Sequence, residues 1–330
     1  MPDETDDNAQ TLSLKIELEA CTLEDLGIGG NGPVPETLGW CAAAINVVAI
    51  DPSEVELVIT GDFAQSVRDR TLSDYYRENY NVDRGAGTVG GKTMTLADGS
   101  TAVLLPASAF MSIEDEDPED REYRETTIKR TALHEAHHVA MNQAGEGSPS
   151  YDGDLWAWEN MRASAESVIS EYRAELGVAE FGGFVYQGWD FLDVLESLRT
   201  RIRASETRYQ ASLDVRALSV EVGTPAAETW RLLGYLAAFL RDPEGGFQPL
   251  PPEWQSAQLW QDVVGEHWEP FVAILEKVPS GAARIGRQTI DAVIDELATE
   301  LQGWLRHIGF HFYDADDGPR FDIVGRHLLD

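Results

Sequence analysis

The stretch "RTALHEAHHVA", Arg130 to Ala140, packs three of the chain's seven histidines into five residues, with a glutamate among them. It reads as part of a helix whose start lies upstream. Asp117 suits an N-cap, Pro118 suits the first helical position, and Glu119 and Asp120 favour the positive end of the helix dipole. From there a helix, with room for one break, runs through the histidines. It stops in "GEGSPSYDGD" (145–154), where glycines and a proline sit in a polar loop.

Upstream of this helix the pattern is strand-rich. "TLSLKIEL" (11–18) alternates apolar and polar, and "EVELVIT" (54–60) is a second strand. Between them "PETLGWCAAAINVVAI" (35–50) reads as a buried helix, and "DFAQSVRDRTLSDYYRENY" (62–80) has helical spacing. "KTMTLADGSTAVLLP" (92–106) reads as a hairpin turning at Asp98-Gly99. Pro106 lacks a ladder donor, which points to an edge position for the second arm. Downstream of about Leu155 the chain is mostly helical. Segments near 155–178, 188–218, 225–241 and 257–277 are separated by Gly/Pro punctuation such as "RDPEGGFQPLPPEW", and "GFHFYDADDGPRFDIV" returns to a hairpin at the end. Strands early and helices late argue an α+β fold rather than an alternating one. The expected organisation is a disordered acidic tail over 1–10, a core over 11–182 and a mainly helical lobe over 183–330.

Composition narrows the function classes. The chain has 330 residues, with 58 acidic against 25 basic side chains and a formal net charge of −33. Nucleic-acid affinity rests on Lys and Arg displacing counterions, so nucleic acid is not an expected partner, and neither is an anionic membrane. The same acidity suits solubility and a high-salt medium. The N-terminus has neither the basic start nor the apolar core of a signal peptide, and no apolar run spans a bilayer. Two cysteines, Cys21 and Cys41, form no CxxC pair, and a cytoplasmic location with reduced thiols is the simplest expectation. "AGTVGGKT" (86–93) loosely fits a phosphate-binding loop, but a hairpin rather than a helix is expected after it, so its glycines read as turn residues.

His134, Glu135 and His138 form H-E-x-x-H. Positions i and i+4 share one face of an α-helix, so His134 and His138 can aim imidazole nitrogens at one cation. Glu135 is turned about 100° from His134, where its carboxylate can take a proton from a water activated by zinc. His137 lies off that face and reads as a packing or solvent-facing residue. A catalytic zinc takes three protein ligands as a rule. The next helix offers Glu166, Glu171 and Glu175 in "SAESVISEYRAEL" (164–176). A di-iron carboxylate site is excluded, because no second E-x-x-H exists: Val264, Trp304, Ile308 and Val324 precede the remaining histidines by three residues.

On these residues the sequence resembles the gluzincin metallopeptidases, in which H-E-x-x-H is followed a few tens of residues later by a glutamate ligand on a second helix. Glu171 follows His138 by 33 residues. "EYRAE" matches the family's E-x-x-x-D with Glu175 in place of the aspartate, and it also resembles the E-x-x-A signature of ImmA/IrrE-type regulatory metallopeptidases through Ala174. The likeness covers about Thr101 to Gly182. It implies a zincin-like fold with an edge strand before the motif helix, a place for which "STAVLLPAS" (100–108) is suited. It further implies zinc held by His134, His138 and Glu171, Glu135 as general base, Glu175 hydrogen-bonded to a ligand histidine, and a peptide or protein as substrate. His267, His307, His311, His327, Tyr186 and Tyr313 are all available to stabilise an oxyanion. Two other readings stay open: a non-catalytic interaction protein on a zincin-like scaffold, with a partner surface drawn from the helical part, and a regulatory peptidase that cuts one partner protein only.

Overall fold

The computed structural model describes residues 13–29, 33–82, 89–147, 156–184, 190–242 and 244–325. The acidic tail expected over 1–10 lies outside them, as do Ala86, Tyr186 and His327. The chain is α+β, and its contacts divide it into two units: residues 1–80 with 90–140, and residues 81–89 with 141–330.

The first unit is built on a four-stranded mixed sheet. Strand β1 (Lys15–Glu19) leads through helix α1 (Glu36–Val48) to β2 (Val55–Thr60). Helices α2 (Phe63–Arg70) and α3 (Asp74–Asn79) follow, then the hairpin β3 (Lys92–Thr95) and β4 (Thr101–Pro106). The strand order is β1-β2-β4-β3, with β1, β2 and β4 parallel and β3 antiparallel to β4. The hairpin turns where expected, with Gly99 at φ +89°, a value that costs glycine no steric penalty.

The strand before the motif helix is not an edge. β4 pairs with β2 on one side and β3 on the other, and the edge falls on β3. The continuous apolar run Ala102 to Leu105 is fully buried, as in a parallel strand covered on both faces. Pro106 is tolerated because it is the last residue of the strand.

Helix α4 (Pro118–Gln143) runs unbroken through the histidine cluster. The Asp117 carboxylate accepts from the Glu119 amide at 2.9 Å, the expected cap. At the far end Gly145 takes φ +73°; its amide donates to the Asn142 carbonyl and the Glu146 amide to the Met141 carbonyl, a Schellman ending. Ile128, Ala132, Ala136 and Val139 form a stripe on α4 that joins Leu57, Ile59, Val103 and Leu105 of the sheet in one apolar cluster.

The second unit is helical: α5 (Ala157–Phe181), α6 (Phe191–Ser212), α7 (Val215–Leu240), two short turns α8 (Pro252–Gln255) and α9 (Gln258–Trp260), a π-helical turn over Gln261–Gly265, α10 (Glu266–Leu275) and α11 (Arg287–His307). The terminal hairpin is β5 (Phe310–Ala315) with β6 (Gly318–Ile323). One expected boundary moves. The break near Pro225 is absent, because Pro225 is buried inside α7 on a stripe with Leu218, Val222 and Ala226. The chain turns instead at Leu213, in the left-handed region at φ +54°, and Asp214 caps α7 by accepting from the Ala217 amide. Helix α11 was not among the expected segments. No described helix is long and apolar enough to cross a membrane.

Candidate functional site

α4 commits its stripe around Ala136 to the sheet. His134 and His138 lie two residues to either side of Ala136, which turns both about 200° around the axis, away from the sheet. Their Nε2 atoms are 3.0 Å apart and their rings meet edge-on with centroids at 4.7 Å. Two nitrogens that each bind a zinc at about 2.0–2.1 Å in a tetrahedral shell lie about 3.3 Å apart, so the spacing suits one shared cation. His134 is buried and His138 half-buried. His137 is buried, not solvent-facing.

Glu135 is buried as well, on the flank of α4 that meets β3. The Thr93 hydroxyl of β3 donates to the Glu135 carbonyl at 3.0 Å. Gly91 makes this approach possible. A Cβ there would stand 2.6 Å from the Thr131 methyl, 3.0 Å from Glu135 Cγ and 3.2 Å from Leu105 Cδ2. The part of the glycine-rich stretch that the structure describes therefore packs on the motif helix. The length and turn signals did not reveal that contact.

Glu171 sits on α5, whose first turn is capped from a distance: the Asp314 carboxylate of β5 accepts from the amides of Ala157 and Trp158, at 2.6 and 3.1 Å. α5 and α7 pack closely because Gly234 has no side chain; a Cβ there would meet Val168 Cγ1 at 3.2 Å. Next to that glycine, the Tyr235 hydroxyl donates to Glu171 Oε2 at 2.5 Å. Loss of solvent and the negative charge of Glu171 hold the Tyr235 phenol well above its usual range, so it stays a donor. Tyr235 was missed in the sequence, where no motif marks it.

Among the described residues, His134, His138 and Glu171 form a group that could hold a metal ion, with one ligand atom from each and all three atoms within 4.8 Å of one another. Two imidazoles and a carboxylate are the donor set that zinc and its neighbours accept. Glu175, buried one turn beyond Glu171, is not a member of this group, and neither is Glu166. Glu166 Oε1 lies 2.5 Å from Arg287 Nη1 and is engaged there as an ion pair.

α5 carries a further buried pair. Arg173 donates to Glu146 Oε2 at 2.8 Å and to the carbonyls of Pro279 and Ala283, while Glu146 Oε1 accepts from the amides of Ile285 and Gly286. Burial pushes the Glu146 carboxyl up, but the Gly286 amide, the Arg173 guanidinium and the Ile285 amide together bring it below the usual carboxylate range. Of the other histidines, His267 and His307 gather with Glu266, and His311 stacks on Tyr313 in β5.

No family model, curated protein or solved structure matches this chain.

Proposed function

We infer that this chain is a metal-dependent peptidase of the zincin-like kind, with zinc held by His134, His138 and Glu171. The observation that carries the reading is the convergence of the two Nε2 atoms at 3.0 Å, in a group completed by a carboxylate, with Glu135 one residue from the first imidazole. A bound zinc supplies a Lewis acid that polarises a carbonyl and acidifies water.

The chain's own residues divide the remaining work. Glu135 is the proton acceptor for water and passes the proton to the leaving amine. Its backbone is fixed by Thr93 and its side chain is bounded by Gly91. Tyr235 holds Oε2 of Glu171 by a hydrogen bond, which restricts rotation of the carboxylate. Thr93 and Lys92 place a strand edge beside Glu135. An extended peptide can add to such an edge, which favours a peptide substrate over a small molecule.

The test is hydrolysis of an unstructured protein substrate. Activity is expected to vanish with a chelator and return with zinc, and Glu135→Gln is expected to keep zinc but lose turnover. A Glu135→Gln protein that binds zinc and cleaves at the wild-type rate would overturn the assignment.

A further inference from the structure

The second unit carries another histidine cluster that the proposed peptidase site does not use. Glu266 and His267 open α10, and His307 closes α11. The two rings meet with centroids at 5.1 Å.

The hydrogen bonds around the rings fix one proton on each. His267 Nδ1 lies 2.6 Å from Glu300 Oε1, and a carboxylate there only accepts, so Nδ1 is the donor. His307 Nε2 lies 2.7 Å from the Asp262 carbonyl, which also only accepts, so Nε2 is the donor on that ring. The opposite nitrogens, His267 Nε2 and His307 Nδ1, turn toward a shared carboxylate. Both face the same atom, Glu266 Oε1, at 3.5 and 2.7 Å. His267 Nε2 is buried and makes no hydrogen bond among the described residues. Two ring nitrogens and a carboxylate oxygen thus face one another, all within 4.8 Å, an arrangement that one shared cation would satisfy.

We propose that Glu266, His267 and His307 form a second site for a divalent transition-metal ion, bound through Glu266 Oε1, His267 Nε2 and His307 Nδ1. The supports are of the kind that orient metal-binding imidazoles: a carboxylate, Glu300, behind one ring and a backbone carbonyl, Asp262, behind the other. That carbonyl belongs to the π-helical turn Gln261–Gly265, an irregularity that recurs at functional sites. Two imidazoles and one carboxylate select zinc, nickel or copper over magnesium or calcium, which prefer all-oxygen shells. Glu266 is exposed, so the ion enters from solvent. It would tie the start of α10 to the end of α11.

This proposal does not rest on the peptidase reading, and metal counting separates the two. Full-length protein is stripped with a chelator, loaded with zinc and analysed for metal after gel filtration. The wild type is expected to hold two zinc ions. His138→Ala and His307→Ala are each expected to hold one, and the double variant none. Glu266→Gln, which keeps the side-chain shape, is expected to match His307→Ala; circular dichroism checks that each variant is folded. Folded His307→Ala and Glu266→Gln proteins that hold as much zinc as the wild type would overturn the second site, and show that protons alone satisfy the cluster. A wild type holding a single ion that is lost from His307→Ala would support this site and refute the first.

Discussion

The two histidine clusters bring similar donors together by different routes. On α4, His134 and His138 belong to one helix, one turn apart, and His134 and its neighbour Glu135 are buried. At the α10–α11 cluster, His267 and His307 come from different helices, and the carboxylate beside them is largely exposed. The chemistry each can support differs accordingly. In a water-poor setting fixed dipoles and charges act strongly, which a reaction needs. In an exposed setting the same charges are screened, and binding rather than turnover is the natural result. The α4 cluster also has a carboxylate beside it, Glu135, that does not belong to the metal-holding group. At the α10–α11 cluster the neighbouring acid Glu300 is occupied by the Nδ1 proton of His267.

This contrast can be broken at its strongest point first. Glu135→Gln should lower hydrolysis by about 100-fold or more, the range expected for loss of a general base, with zinc content at α4 unchanged. The next largest effect is expected on stability. Arg173→Met leaves Glu146 buried without its guanidinium and should cost about 3–5 kcal/mol in urea denaturation. The pH dependence follows from the direction of the Glu146 shift. Its carboxyl is lower in the folded chain than in the unfolded one, so its contribution is complete above the unfolded value of about 4.3. It fades as pH falls through the lower, folded value, and acid titration of Glu146→Gln should show a shallower loss than the wild type.

Tyr235→Phe sharpens the comparison, because Tyr235 supports Glu171 as Glu300 supports His267. It should weaken zinc binding at α4 by about 10–100-fold and leave the α10–α11 ion in place, read by competition with a chromophoric chelator. The smallest effect is expected for Gly91→Ala. The added methyl meets the Thr131 side chain and Glu135 Cγ, and a loss of about 1 kcal/mol is expected from overpacking, with a fall in kcat and no change in zinc content. Unchanged kcat would show that Glu135 does not depend on the edge strand for its position.

Legibility in the sequence followed the same divide. The α4 pair was readable because both ligands obey one helical period, and the helix announces itself with Asp117, Pro118 and Gly145. The hairpin at Asp98-Gly99 and the terminal hairpin were readable from turn chemistry and alternation. Glu171 was nominated by resemblance, not by period. Tyr235 carried no signal, since its partnership with Glu171 arises only when Gly234 lets α7 approach α5. The same holds for His267 with His307, which are forty residues apart and meet through helix packing. Proline misled twice. Pro106 suggested an edge for β4, and Pro225 a break in α7, because the rule against proline counts lost donors but not the apolar burial that outweighs them.

α4 has one further consequence. Between Ile128 and Val139 the same eleven-step stretch of a single rod carries both the stripe that joins the sheet core and the imidazoles on its opposite side. One inserted or deleted residue turns everything beyond it by about 100°. An indel in the loop before Asp117 shifts both sets together and leaves their phase intact. One within the stretch would force a choice between core and ligands, so this segment should admit changes of side chain but not of length.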